Sequence, residues 1–449
     1  MKYIVINGPT QLKGKVKIQG AKNSAMKHIF IPLITNGKFT IENIPRIGST
    51  EKHIEIAKIL GAKVDWSNRN TLNIDTKNVN KSQIIPKELL YYTSDANKVI
   101  PILASRFGKC QIEINPERVD RGGDQIGSRN FDEIIPTLKE FGIEAKRKIS
   151  RLIEFQLNSE NPFNYKAPIP SFTISVLALF CALYKNGKSI ITNTTLIPEF
   201  DDMVEFLIAA GAKIKKGNNQ IEVYGPVQIK GIKYKNMYDP NDLVTWISAA
   251  LTTNSEIVIE GIDYTKMKLQ TLESTLVKMN INIDLHTFIT NIKPQLKRIK
   301  PTEIYTGPYP VFTSEWQVLF SPLLTQIIGT SKVIETLFAN RMQHWNELKK
   351  MGTVFEFFKD PKYSEADGNP RAVKVSGPQK LHGAKVDARD VRTGAALVIA
   401  GLIAEGKTTI LNAEHIDRGY EAIDKRLRQL GVEVERLQIN YIHLARILL

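Results

Sequence analysis

Six times along this chain a short polar turn leads into a strand-like run: Gly37 (GKFTIEN), Gly108 (GKCQIEI), Gly187 (GKSIITN), Asn254 (NSEIVIE), Gly329 (GTSKVIE) and Gly406 (GKTTILN). The β-branched residues and the alternation within these runs predict strands. Each run is preceded by an apolar segment long enough for a buried helix, such as Thr173–Tyr184 or Ala395–Ala404. Each is followed by an amphipathic helix. Met203, Phe206, Leu207 and Ala210 mark one such face at helical spacing, and Tyr420, Ile423, Leu427 and Leu430 mark another. Those helices stop at Gly61, Gly142, Gly211, Asn280, Gly352 and Gly431, the residue types a left-handed terminator favours. A pair of strands follows each, as in Ala212–Ile214 with Gln220–Tyr224. The unit is helix, strand, helix, strand, strand, at roughly 70 to 80 residues, longer than a solenoid repeat. The predicted fold class is α/β, with six units forming two pseudo-symmetric globular domains of three.

The spacing singles out one loop. Gly37 to Gly61 spans 24 residues and four other units span 23 to 26, whereas Gly108 to Gly142 spans 34. The excess holds Arg121–Arg129, Arg-Gly-Gly-Asp-Gln-Ile-Gly-Ser-Arg. Its glycines allow a sharp bend or a close backbone approach. Its two arginines offer forked donors to phosphate or carboxylate, and Asp124 lies between them. Five copies do without these residues, so the fold does not require them.

The 449 residues suffice for two or three domains, and 42% hydrophobic with 24% charged residues suits an ordinary globular protein. A net charge of +15 suits polyanionic small substrates. The lysines are scattered, without a basic tail or an arginine block, so no nucleic-acid partner is expected. Cys110 and Cys181 lie in apolar surroundings outside any Cys-x-x-Cys pair and are read as buried. None of the seven histidines has metal-ligand spacing, and His28, His344 and His415 are read as packing or cap residues. No metal, cofactor, Walker loop or Rossmann loop is implied. The opening Met-Lys-Tyr-Ile-Val-Ile-Asn-Gly is too short an apolar run for a secretion signal, and no stretch reaches membrane-spanning length. A cytoplasmic protein is expected, without membrane insertion or an obligate protein partner.

Lys22-Asn23 follows Gly20-Ala21 and precedes an apolar helix beginning near Ala25. A lysine and an amide at a helix entrance suit an anion, because free backbone donors and the helix dipole add to the ammonium charge. This stretch, the loop GGDQIGSR, Phe312-Thr313-Ser314-Glu315, Phe338-Ala339-Asn340-Arg341, Asp390-Val391-Arg392 and His415-Ile416-Asp417-Arg418-Gly419-Tyr420 occur in one order and spacing. Together they resemble the enolpyruvyl transferase family, on the branch that uses UDP-N-acetylglucosamine, over essentially the whole chain.

The resemblance implies two inverse α/β barrels. One domain would be 21–229, carrying the glycine loop; the other would combine 1–20 with 230–449. The chain would cross near Gln19–Lys22 and Val227–Lys233, with the glycine loop closing as a lid over the substrates. The resemblance also implies phosphoenolpyruvate and UDP-N-acetylglucosamine as substrates and phosphate as a product. Lys22, Arg129 and Arg418 would clamp phosphate and carboxylate. Asp124, standing where most members carry a reactive cysteine, would be the general acid. Glu315 stands where aspartate is usual and would be the base or orient the hydroxyl. Asn23, Asn130, Phe131, Ser171, Phe172, Leu337, Phe338 and Arg341 would line the substrate region, with Asp390 and Arg392 as a supporting ion pair. Where the family has an arginine before the second unit's apolar helix, this chain has Tyr92–Lys98, with Lys98 as a possible stand-in. Other readings stay open. A shikimate-3-phosphate enzyme would need Gly-Asn-Ala-Gly-Thr and Lys-Ser motifs that are absent here. An RNA-end cyclase would need a nucleotidylated histidine motif. A weakened paralogue could bind a nucleotide sugar as a sensor, and a different acceptor could be used.

Overall fold

A computed structural model describes residues 2–80, 84–92, 94–114, 131–149, 151–338, 340–360, 362–363 and 370–438; the side chains at 91, 94, 131–133 and 149 lie outside the description. The chain divides into two compact units, one of Met1–Gln19 with Tyr238–Leu449 and one of Gly20–Met237.

The Gly20–Met237 unit holds three four-stranded sheets. In the first, Lys233–Lys235 runs parallel to Lys38–Glu42, which pairs antiparallel with Thr71–Asp75, which in turn pairs with Lys63–Asn68. The same order joins Ile84–Ile85, Lys109–Glu113, Leu152–Leu157 and Ile143–Ile149. It recurs in Asn164–Lys166, Gly187–Thr192, Gln220–Gly225 and Ile214–Lys216. Because Lys233–Lys235 completes the first sheet, this unit runs past 229 to Met237. Between the sheets the helices Val99–Phe107 and Phe172–Ala182 pack on each other. Phe172–Ala182 is buried from Ser175 onward, as a sequence without a charged residue and with apolar side chains all round requires. In the neighbouring helix Pro198–Ala209, Met203, Phe206 and Leu207 are fully buried. Each such side chain contributes about 1.5–3 kcal/mol.

The other unit repeats the arrangement around three buried helices, Pro240–Thr252, Ser314–Leu324 and Val391–Ile403, which pack on one another. Two of its sheets have four strands: Glu303–Tyr305, Gly329–Ile334, Ala372–Gly377, Phe355–Phe358, and Lys385–Asp387, Gly406–Leu411, Lys2–Gly8, Val434–Gln438. The third has only Ile289–Ile292, Glu256–Glu260 and Lys13–Lys17. Here the expected strand pair yields one strand. The Gln295 side chain takes the place of a ladder, accepting from the Asn282 N–H at 2.8 Å and donating to its carbonyl at 3.3 Å.

All six anticipated terminators have positive φ, from 59° at Asn280 to 108° at Gly211. One helix differs from the sequence expectation. Tyr420 does not share a continuous helix with Ile423, Leu427 and Leu430, because Ala422 adopts the left-handed conformation at φ 45° and the helix is Ile423–Gln429. Among the described residues no helix is long and apolar enough to cross a membrane.

Buried His344 lies 2.7 Å from Ser321 Oγ and 2.9 Å from the Arg341 carbonyl oxygen. Burial pushes its pKa down to about 4. The unfolded chain, with a histidine near about 6.5, therefore binds the proton first as pH falls. His344 favours folding above about pH 6.5, and that contribution is lost toward pH 4, at a cost of about 3 kcal/mol. Denaturant unfolding at pH 7 and pH 4.5 should show a smaller acid loss for His344→Gln than for the unmodified protein. Equal losses would contradict this.

Candidate functional site

In the unit that includes Tyr238–Leu449, the first turns of the three buried helices meet. Thr313 caps Ser314–Leu324, Asp390 caps Val391–Ile403 and Asp239 caps Pro240–Thr252, each accepting backbone N–H bonds. Glu315, in the first turn of its helix, receives Arg392 Nε at 2.9 Å and Nη2 at 2.7 Å, both on Oε2. Burial disfavours the Arg392 cation, but Glu315, Tyr420 and Asp239 outweigh it and hold the proton more firmly than usual. The guanidinium lies 5.4 Å from the Tyr420 ring, whose hydroxyl is 2.8 Å from Thr245 Oγ1.

Asp390 and Arg392 do not form the expected side-chain pair. The Asp390 carboxylate accepts the N–H groups of Arg392 and Thr393 and faces Arg341 at 3.5 Å, leaving the Arg392 guanidinium to Glu315. The Asp390 oxygens are occupied by the first-turn N–H groups, the Thr393 hydroxyl and Arg341, while the Arg392 guanidinium is taken by Glu315.

Buried Glu335, which sequence reasoning missed, shapes the stretch carrying Leu337 and Phe338. Its Oε1 accepts their N–H groups at 2.9 and 3.1 Å, and its Oε2 accepts from Ser314 Oγ. Arg418 is mostly buried, with Nη1 3.3 Å from His415 Nδ1.

In the Gly20–Met237 unit the first helix is Lys22–Phe30, three residues earlier than the apolar pattern alone suggested. Lys22 is its first residue, and no side chain caps this end. Asn23 Nδ2 donates to Glu199 Oε1 at 3.3 Å. Ser171 stands at the N-cap of Phe172–Ala182 without a side-chain cap bond. Phe172 faces the ammonium of buried Lys27, 4.2 Å from its ring centroid. Lys98 is turned inward and sits 3.0 Å from Asp95, which also holds Lys27 at 2.7 Å. Burial disfavours the Asp95 carboxylate, yet the two lysines hold its pKa well below the usual range. Nothing local in the sequence flagged Lys27 and Asp95; their pairing joins segments 68 residues apart.

Asp124, Arg129 and Asn130 lie outside the described residues, as does the Phe131 side chain. Among the described residues no group of three or more His, Cys, Asp or Glu side chains could hold a metal ion.

The chain belongs to the EPSP synthase (3-phosphoshikimate 1-carboxyvinyltransferase) family, which it matches over residues 6–427. Within that family it is 32% identical to UDP-N-acetylglucosamine 1-carboxyvinyltransferase 2 of Clostridium tetani, covering 97% of this chain and 100% of the relative. It is equally similar, at 32%, to UDP-N-acetylglucosamine 1-carboxyvinyltransferase 1 of Clostridium acetobutylicum, covering 98% and 100%. The crystal structure of the enolpyruvyl transferase NikO from Streptomyces tendae matches with a TM-score of 0.84 at 20% identity, covering 98% of this chain and 99% of that one. EPSP synthase from Acinetobacter baumannii matches at 0.71 and 16%, covering 98% and 100%. At these identities the structural likeness concerns the fold alone.

Proposed function

We propose that the protein transfers the enolpyruvyl group of phosphoenolpyruvate to the 3′-hydroxyl of UDP-N-acetylglucosamine, the first committed step of peptidoglycan synthesis, in the cytoplasm. The observation that carries this reading is the near-full-length similarity to relatives named for that reaction. The hydroxyl oxygen adds to C2 of phosphoenolpyruvate while C3 gains a proton; C3 then loses a proton as C2 expels phosphate. Lys22, Arg129 and Arg418 clamp phosphate and carboxylate through both steps. Asp124 supplies the proton to C3. Glu315 takes or orients the hydroxyl proton, with Arg392 holding its carboxylate in place. Asn23, Asn130, Phe131, Ser171, Phe172, Leu337, Phe338 and Arg341 line the substrates, and Asp390 fixes the start of the helix that bears Arg392. The six sheets are read as six copies of one helix-strand-helix-strand-strand unit, paired by threes into two inverse α/β barrels. No cofactor, metal, nucleic acid or obligate protein partner enters this scheme.

Phosphate release from phosphoenolpyruvate, measured with and without UDP-N-acetylglucosamine, tests the reading. Release should depend on the sugar nucleotide. Binding of the sugar nucleotide without turnover would replace the enzyme reading with a sensor; no binding would direct the search to other acceptors.

A further inference from the structure

Arg418 sits in a turn that its own backbone holds only in part. The short helix Glu414–Asp417 ends just before it and the next begins at Ile423. The Arg418, Gly419 and Tyr420 N–H groups bond back to Glu414 and Ile416. Beyond them, the Gly419 carbonyl and the Glu421 N–H are both taken by one distant side chain, Gln19. Its Nε2 donates to the Gly419 oxygen at 2.8 Å and its Oε1 accepts from the Glu421 N–H at 2.7 Å. A single amide thus brackets Tyr420 from both sides.

Gln19 is itself fixed. Its own N–H donates to Asp242 Oδ2 at 2.9 Å, and Arg426 Nη2 reaches its Oε1 at 3.3 Å. Fully buried Asp242 accepts two bonds from Arg426 Nη1, at 2.7 and 3.0 Å, and one from Trp246 Nε1 at 3.2 Å. The turn cannot relax away on its other side, where a β-carbon on Gly419 would stand 2.3 Å from Val391 Cγ1. The strained left-handed residue Ala422 follows directly, a conformation that persists only where the surroundings over-determine it.

We propose that Gln19 is a positioning residue for Arg418, locking the turn that aims this guanidinium at the anionic groups of phosphoenolpyruvate. The inference rests on the reading of Arg418 as part of the phosphate clamp. A displacement on the order of 1 Å can cost about 10²-fold in rate.

Gln19→Met keeps the length of the side chain and removes both bonds. It should lower kcat/KM for phosphoenolpyruvate by about 10- to 100-fold, leave KM for the sugar nucleotide within about two-fold, and lower the melting temperature by a few degrees, because the Gly419 carbonyl and the Glu421 N–H lose their partner. Gln19→Glu keeps the acceptor for Glu421 and should recover part of the loss. In an Arg418→Lys background, which retains a cation, Gln19→Met should cost much less than it does alone. Unchanged kcat/KM for phosphoenolpyruvate, equal losses toward both substrates, or full additivity with Arg418→Lys would each overturn the inference while leaving the enzyme reading intact. Absence of sugar-dependent phosphate release from the unmodified protein would overturn the enzyme reading, and this inference with it.

Discussion

Asp124→Asn should lower sugar-dependent phosphate release by about 10³-fold, and fosfomycin should leave the unmodified protein active. A positioned general acid contributes about 10²- to 10⁴-fold, and asparagine fills nearly the same space without a proton to give. The resemblance to the UDP-N-acetylglucosamine branch implies a reactive cysteine where this chain has Asp124, and fosfomycin acts by alkylating that thiolate. The two thiols the chain does possess are poor substitutes. Cys110 and Cys181 are buried, and burial pushes both thiols up, that of Cys181 to about 12, so little thiolate exists near neutral pH. Intact-mass measurement after incubation should find no adduct. Time-dependent inactivation with a mass increase, or an Asp124→Asn protein with undiminished turnover, would refute the assignment of the acid.

Gly20→Ala should prevent folding or cost more than about 4 kcal/mol, among the largest single-residue effects. A β-carbon there would stand 1.7 Å from the Asn43 carbonyl oxygen and 2.9 Å from Asn236 Nδ2. Neither neighbour can withdraw easily. Asn43 is left-handed at φ 59°, its Nδ2 bonds the Asn236 carbonyl at 2.9 Å, and Asn236 Nδ2 returns bonds to Asn43 and Ala21. The Ala21 N–H in turn reaches the Met237 carbonyl at 2.8 Å, which sets where the Lys22–Phe30 helix begins. The glycine of Gly20-Ala21-Lys22-Asn23 thus serves close backbone packing. Soluble yield and the thermal melting curve report the effect. A melting temperature within a few degrees of the unmodified protein would show that the segment can shift.

Much of this protein is legible in its residue order. The six strand-like runs form strands, because alternation of β-branched and polar residues is a local property that few other conformations satisfy. The six terminators adopt positive φ because glycine and asparagine tolerate what other residues resist. The ordered set of short stretches from Gly20 to Tyr420 was enough to indicate the family that the full-length comparison shows.

What sequence order left open depends on which distant groups meet. Asp390 and Arg392 stand two residues apart and look like partners, yet the capping role turns one carboxylate inward and gives the other side chain to Glu315, 77 residues away. Lys98 looks like a spare cation and is bound to Asp95 inside the unit. Gln19 carries no signature at all, and the role we propose for it rests on two hydrogen bonds to residues some 400 positions away. Periodicity and backbone preference are written in neighbouring residues, so sequence alone determined the six strand runs, their terminators and the family. Ion pairs and long-range hydrogen bonds depend on burial and on groups brought together from far along the chain, and the tertiary structure alone decided them.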